Sequence, residues 1–203
     1  MGLTDYSLTD IEKNRIIRGL SNDLIIDFCE GNSRQILWSS GAAVFSRNHK
    51  YRFLLTRVYK RGEGTCVFIM LNPSIANESI DDPTTRRCVK FSSTWGFKRL
   101  IIVNLFAYRT AYPWRLNSIK DPVGSYNDLL IKSAIGPYSK IVLGWGNRGT
   151  MLNRSGQIQS ILNSLQVNST AFRLTNRGQP IHPLYLPSKA STFRVVNLEG
   201  YIS

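Results

Sequence analysis

Histidine, cysteine and acidic residues are all scarce in this chain, and each shortage closes off a kind of chemistry. His49 and His182 are the two histidines present, so a His-rich metal centre is excluded by count. Cys29, Cys66 and Cys88 are odd in number, scattered, and form no CxxC pair. That pattern argues against a disulfide framework, a structural zinc and an iron–sulfur cluster, and predicts small, inert core thiols. No apolar run approaches the roughly 18 residues that span a bilayer. The opening MGLTDYSLTD is polar and acidic, without the apolar core of a signal peptide, so the expectation is a cytoplasmic protein with no membrane contact. No GxGxxG follows the first buried strand and no P-loop is present, which disfavours nucleotide binding by a glycine-rich turn. The chemistry expected is therefore free of metal and cofactor.

What is abundant is positive charge. Lys and Arg number 26 against 13 Asp and Glu, a net charge of +13 with an isoelectric point near 10.0. Such an excess attracts polyanions, nucleic acid first among them. The cations are spread through the chain rather than gathered in a tail, which predicts a basic folded surface and not a disordered arm. With 203 residues and 42% hydrophobic content, the chain suits one domain with a sizeable core, preceded by an extension.

The hydrophobic pattern changes character along the chain. Residues 1–35 read as a helical extension, with Ser7 or Thr9 as caps and Ile11, Ile16, Ile17 and Leu20 near helical spacing. Residues 36–203 read as the main domain. It opens with a β-hairpin, QILWSSGAAVFS and YRFLLTRVY, around a polar turn. Short continuous apolar runs then alternate with helices: CVFIML, DDPTTRRCVKFSSTWG, RLIIVNLFAY, SYNDLLIKSAI, KIVLGWG, RSGQIQSILNSLQ and TAFRLT. The first helix has Asp82 as a cap, Pro83 in its first turn and Gly96 at its end; Ser125 is the expected cap of the second. This alternation predicts a three-layer α/β/α sandwich around a mainly parallel four-stranded sheet, with the N-terminal helices and the hairpin added.

In open parallel sheets ligands bind beyond the carboxyl ends of the strands. Leu71-Asn72-Pro73-Ser74 follows the first run. Asn104-Leu105-Phe106 closes the second, with Arg109 just beyond. Gly144-Trp145-Gly146 follows the third, and His182-Pro183-Leu184-Tyr185-Leu186 comes after the fourth. Taken singly these are ordinary: Asn before Pro is a common turn residue, and Gly144 and Gly146 serve close packing. Asn104 is less ordinary, because an amide at the end of a buried strand must be hydrogen-bonded or used. Their succession at consecutive strand ends is what points to a site.

Over about residues 66–188 these segments resemble the four motifs of the uracil-DNA glycosylase superfamily, its mismatch-specific branch in particular. IMLNPS resembles the first motif, IIVNLFAYR the second strand, IVLGWGNRG the third and HPLYL the final His-Pro loop. A closer resemblance, over about residues 42–188, is to a domain-of-unknown-function family of bacterial and phage proteins sharing YRFLLTR, LNPS, DDPTxRRC, VNLFAYR and HPLYL. Departures from the glycosylase pattern are Met70 or Leu71 where the first motif opens on glycine, and HPL in place of HPS.

The resemblance implies a monomeric, metal-independent enzyme that flips a modified pyrimidine out of double-stranded DNA and hydrolyses its N-glycosidic bond. A hypermodified phage base, and hence antiviral defence, fits that scheme. Asn72 would position water and His182 would support the departing base. DDPTTRR is not a standard glycosylase segment; within it Asp81 and Asp82 could cap the helix, or one of them, Asp82 foremost, could enter the site as a base. Asn104 would read the base edge, with Pro73, Ser74 and Arg109 at the substrate and Phe91, Phe106 or Trp145 stacking on it. Lys90, Arg99, Arg148 and Lys189 are the candidate phosphate contacts, and Leu184, Tyr185 and Leu186 would fill the gap left by the extruded base. Two other readings remain open: a nucleotide- or nucleoside-processing enzyme, which leaves the charge unexplained, and a non-catalytic DNA-binding protein, which leaves the polar strand ends idle.

Overall fold

A strand covered on both faces needs apolar side chains at every position. Residues 66–70, 100–103 and 141–143 supply this, and all are buried. The computed structural model, which describes residues 22–31, 37–187 and 196–197, places them in β4 (Glu63–Met70), β5 (Phe97–Asn104) and β6 (Lys140–Leu143). With β7 (Ser169–Ala171) they form a parallel set in the order β5-β4-β6-β7.

These four strands are the middle of a larger sheet, a correction to the four-stranded expectation. β1 (Leu24–Glu30), β2 (Ser40–Ser46) and β3 (Arg52–Val58) continue it antiparallel beyond β5, and β8 (Val196–Asn197) pairs antiparallel with β7. The described residues thus hold one mixed, eight-stranded sheet. An open β5 edge would leave a row of unpaired backbone groups; pairing with β3 from Leu55↔Ile102 to Val58↔Arg99 removes it. β1 falls within the stretch predicted to be helical. Pairing with β2 along its whole length, from Leu24↔Ser46 to Glu30↔Ser40, outweighs local propensity there. Residues 1–21, with the helical spacing of Ile11 to Leu20, lie outside the described residues.

Helices cover both faces. On one, Cys66, Phe68 and Met70 of β4 pack with Cys88, Val89 and Phe91 of α1 (Pro83–Thr94). On the other, Val67 and Ile69 pack with Leu130 and Ile131 of α2 (Asn127–Ala134) and Ile158 and Leu162 of α3 (Arg154–Ser164). Burial pushes the Cys66 and Cys88 thiols well up, as inert core sulfurs require. α1 begins and ends as predicted: the Asp82 carboxylate accepts from the Thr85 amide at 2.7 Å, Pro83 opens the first turn, and Gly96 follows the end with φ +81°. The expected Ser125 cap on α2 is absent; Tyr126 occupies that position without a side-chain cap.

The hairpin is irregular at one point. β2 and β3 pair Val44 with Leu54 but Phe45 with Arg52, leaving Phe53 as the extra residue of a β-bulge. Residues five apart in a regular strand point to opposite faces. The bulge removes one step, so Arg52 and Arg57 both turn toward the α1 side of the sheet.

Candidate functional site

The connection β4–α1–β5 runs to one side of β4, and β6–α3–β7 runs to the other, with α1 and α3 on opposite faces. The carboxyl ends of β4 and β6 therefore diverge, and a crevice opens there, as at other topological switch points. A cleft of about 670 Å³ occupies it. Its walls come from the loop after β4, the start of α1, and the loops after β5, β6 and β7.

Asn72 enters the cleft with its amide already oriented. Nδ2 donates to the Pro73 carbonyl at 2.9 Å and the Thr110 carbonyl at 2.8 Å. Both amide hydrogens are used, so the edge left toward the cleft is the acceptor Oδ1. The Thr110 amide donates back to the Pro73 carbonyl at 2.9 Å, closing the β4 and β5 loops on each other. Pro73 is buried by this arrangement, and Ser74 lines the cleft beside Asn72.

The rest of the β4 loop is held from below by the two arginines that the bulge aligns. Arg52 donates to the Ala76 carbonyl at 2.7 Å. Arg57, wholly buried, donates to the carbonyls of Thr56 at 2.9 Å and Asn77 at 2.6 Å, and pairs with Asp81 at 2.7 Å. Trp38 Nε1 donates to the other Asp81 oxygen at 2.8 Å, and the Arg57 guanidinium lies 4.4 Å from the Trp38 ring centroid. Burial lowers Arg52 to about 10, which leaves it charged at neutral pH. Asp81 is thus a structural counter-ion. Asp82 lines the cleft, with Oδ1 capping α1 and no described residue bonding Oδ2.

His182 comes in from the far side. Its Nδ1 accepts from the Leu184 amide at 3.3 Å. Burial lowers its pKa to about 4, against a smaller opposing influence of the Asp82 carboxylate. The ring is therefore neutral at physiological pH with its proton on Nε2, a donor without charge. Gly144 lets this loop approach: a Cβ there would sit 2.9 Å from Pro183 Cδ and 3.0 Å from Met70 Sδ. On its other flank Arg87 of α1 donates to the carbonyls of Leu186 at 2.7 Å and Pro187 at 3.1 Å. A low histidine pKa has a measurable sign. Unfolded, the group titrates near its ordinary 6.5; folded, it resists protonation to about pH 4. Its stabilisation is complete above 6.5 and is lost as pH falls toward 4. Chemical denaturation across that window should show the decline, and His182→Gln should flatten it.

Several predicted residues lie elsewhere. Trp145 lines the cleft but is nearly buried, its Nε1 donating to Gln179 at 2.9 Å. Phe106 is wholly buried in the core on the α2–α3 face. Phe91 belongs to an aromatic cluster with Trp95 and Phe172 beneath α1. Arg109 leans over Phe45, 5.0 Å from its centroid, and donates to the His49 carbonyl at 3.2 Å, outside the cleft wall. Arg148, Leu184 and Tyr185 line the cleft and are exposed. Lys90 is exposed two turns down α1. Arg99 pairs with Val58 and Thr65, roughly 16 Å of strand away from the carboxyl end of β5. Lys189 lies outside the described residues.

Asn104 is also outside the cleft wall. It pairs with Met70, immediately behind the cleft residue Leu71; it is buried, and its Nδ2 has no partner among the described residues. An unpaired buried donor contributes a desolvation penalty rather than stability. Asn104→Leu should therefore keep or raise the thermal midpoint, read by calorimetry. A clear drop would mean that the amide is hydrogen-bonded in the native state. Thr110, Arg52, Arg57 and Arg87 are site-building residues that motif reading missed. The tandem Arg86-Arg87 within DDPTTRR was the one signal available for the last of them.

An open α/β sheet with a mainly apolar cleft at its switch point, carrying a few polar side chains, is the class of protein that these features define. More specifically, the family model described as Protein of unknown function (DUF1643) matches residues 52–184, and the chain belongs to that family. The matched span begins at Arg52 and takes in Asn72, Asp82 and His182. No curated protein and no solved structure matches the chain. Among the described residues, no helix is long and apolar enough to cross a membrane, and no three His, Cys, Asp or Glu side chains are grouped as metal ligands.

Proposed function

We propose that this protein is a DNA glycosylase of the uracil-DNA glycosylase type, cleaving the N-glycosidic bond of a flipped-out, modified pyrimidine to leave an abasic site. The observation that carries the reading is the convergence of Asn72 and Asp82, from the two ends of the β4–α1 connection, and His182, from the loop after β7, on one cleft.

Breaking the bond leaves its electron pair on the base and positive charge on the sugar, which water then captures at the anomeric carbon. Stabilisation must be aimed at both charges. The neutral His182 Nε2–H is a donor for an oxygen of the departing base, supplied without the cost of burying a cation. Asn72 Oδ1 accepts a hydrogen from the attacking water and fixes its position. Asp82 Oδ2, which no described residue bonds, faces the developing sugar cation and takes the proton that water releases. Arg148 at the rim suits a phosphate, and the exposed Leu184 and Tyr185 suit the gap in the duplex.

The cleft volume also bears on the substrate. About 670 Å³ falls in the range of sites for drug-sized ligands and is far more than a bare pyrimidine fills. The cleft is half open, so the sugar and phosphate of the flipped nucleotide share this space; it leaves room for a base with a bulky appendage, such as the sugar-modified pyrimidines of phage DNA. The test is mass spectrometry of bases released from genomic DNAs of differing modification, alongside alkali cleavage of the treated duplex. A free base and alkali-labile sites are expected from at least one modified DNA. A panel that includes native phage DNAs and releases nothing would sink the enzymatic reading. Binding in the same samples should weaken steeply with salt.

A further inference from the structure

The cleft rim carries two exposed aromatic side chains that neither the fold nor the proposed chemistry uses. Thr110, Ala111 and Pro113 form the β5 side of the cleft wall. Tyr112 and Trp114 flank Pro113 and remain 48% and 57% exposed. Their rings lie 4.9 Å apart at 51°, and the Arg115 guanidinium sits 5.2 Å over the Tyr112 ring. The backbone beneath is ordered. The Tyr112 amide donates to Thr110 Oγ1 at 3.0 Å, the Arg115 amide donates to the Tyr112 carbonyl at 3.0 Å, and the wholly buried Leu116 anchors the 3-10 turn (Pro113–Ser118).

Single exposed aromatics are common and need no explanation. Two of them side by side on one 3-10 turn, with a cation over one ring, at the mouth of a cleft in a chain of net charge +13, are a different matter. Aromatic faces paired with guanidinium are the means by which proteins hold unstacked bases, whatever their sequence. We infer that Tyr112 and Trp114 form a stacking platform for an unpaired nucleobase of the DNA strand adjoining the cleft, separate from the base that enters it. This rests on the reading of DNA as the partner.

The platform is tested by binding rather than turnover. Fluorescence anisotropy compares a labelled duplex containing one unpaired base with its fully paired counterpart. Wild-type protein should prefer the first. Trp114→Ala should lose about ten- to a hundredfold in affinity for it, the range expected for one stacked base. Trp114→Phe should retain most of the affinity, and the slope of affinity against salt should stay the same in all three, because no charge is altered. Equal affinity of wild type and Trp114→Ala for both duplexes would overturn the platform, as would no measurable DNA binding at low salt. Sedimentation showing that Trp114→Ala abolishes self-association while DNA affinity is unchanged would assign the rings to a protein contact instead. The glycosylase reading fails separately, on absence of released base, and that result leaves the affinity comparison standing.

Discussion

Replacing Asn72 with alanine should slow base release by about 10²- to 10³-fold while changing DNA affinity less than about threefold. The geometry of the side chain explains why the two readouts should part. Asn72 Oδ1 is an acceptor left toward the cleft, and the amide Nδ2 that orients it bonds only to backbone carbonyls of Pro73 and Thr110. Removing the side chain takes away the acceptor proposed to hold the attacking water. The loop pairing survives, because the Thr110 amide still donates to the Pro73 carbonyl. Arg148, the phosphate contact proposed at the rim, is untouched. Single-turnover kinetics at saturating enzyme, with anisotropy on the same duplex, separates the effects. Loss of affinity in step with rate would show that Asn72 holds substrate rather than water. Asn72→Asp is an informative companion. It keeps the acceptor but sets a carboxylate against two carbonyls, so the side chain should leave its seat and the rate should not recover.

The second large effect concerns stability. Arg57→Met should cost about 3–5 kcal/mol, measured from urea denaturation. The methionine fills much of the same space, but the Asp81 carboxylate is left with Trp38 Nε1 as its donor, and the carbonyls of Thr56 and Asn77 lose the guanidinium. A buried ion pair adds little over an apolar replacement of both partners, whereas breaking it strands a charge. The double variant Arg57→Met/Asp81→Asn should accordingly regain a substantial part of the loss. Arg57→Lys is not conservative here, since one ammonium cannot serve a carboxylate and two carbonyls in that geometry. If Arg57→Met unfolds within about 1 kcal/mol of wild type, well short of the loss expected for a broken buried pair, the β4 loop does not depend on this anchor.

The βαβ portion was legible because its signals are local. Uninterrupted apolar runs marked β4, β5 and β6, and Asp82, Pro83 and Gly96 marked both ends of α1. The carboxyl-end rule then brought Asn72 and His182 to one cleft. What escaped was everything set by register or depth. β1 is an edge strand whose structure comes from pairing with β2, not from its own pattern. The hairpin was recognised, but nothing in its composition shows that β3 would join β5 and extend the sheet. The bulge at Phe53 is a register event, and it alone puts Arg52 and Arg57 on the same face. Charge was misread for the same reason. Arg52, Arg57 and Arg154 counted toward a basic surface, yet all three are buried, with Asp81 and Asp128 as counter-ions of the latter two. Asn104 and Phe106 sit at a strand end as predicted, but sequence carries no information on how far behind a cleft wall such an end lies.

The grip of Arg87 on the Leu186 and Pro187 carbonyls has a kinetic corollary. That strap anchors one bank to α1, and Arg52 and Arg57 anchor the other to β3. For the DNA partner proposed above, distortion would then fall on the nucleic acid, and the wait for a productive encounter would be the wait for a base pair to open. Sites that breathe readily, at mismatches or in A·T-rich surroundings, should be engaged sooner than firmly paired ones, although the protein touches them in the same way.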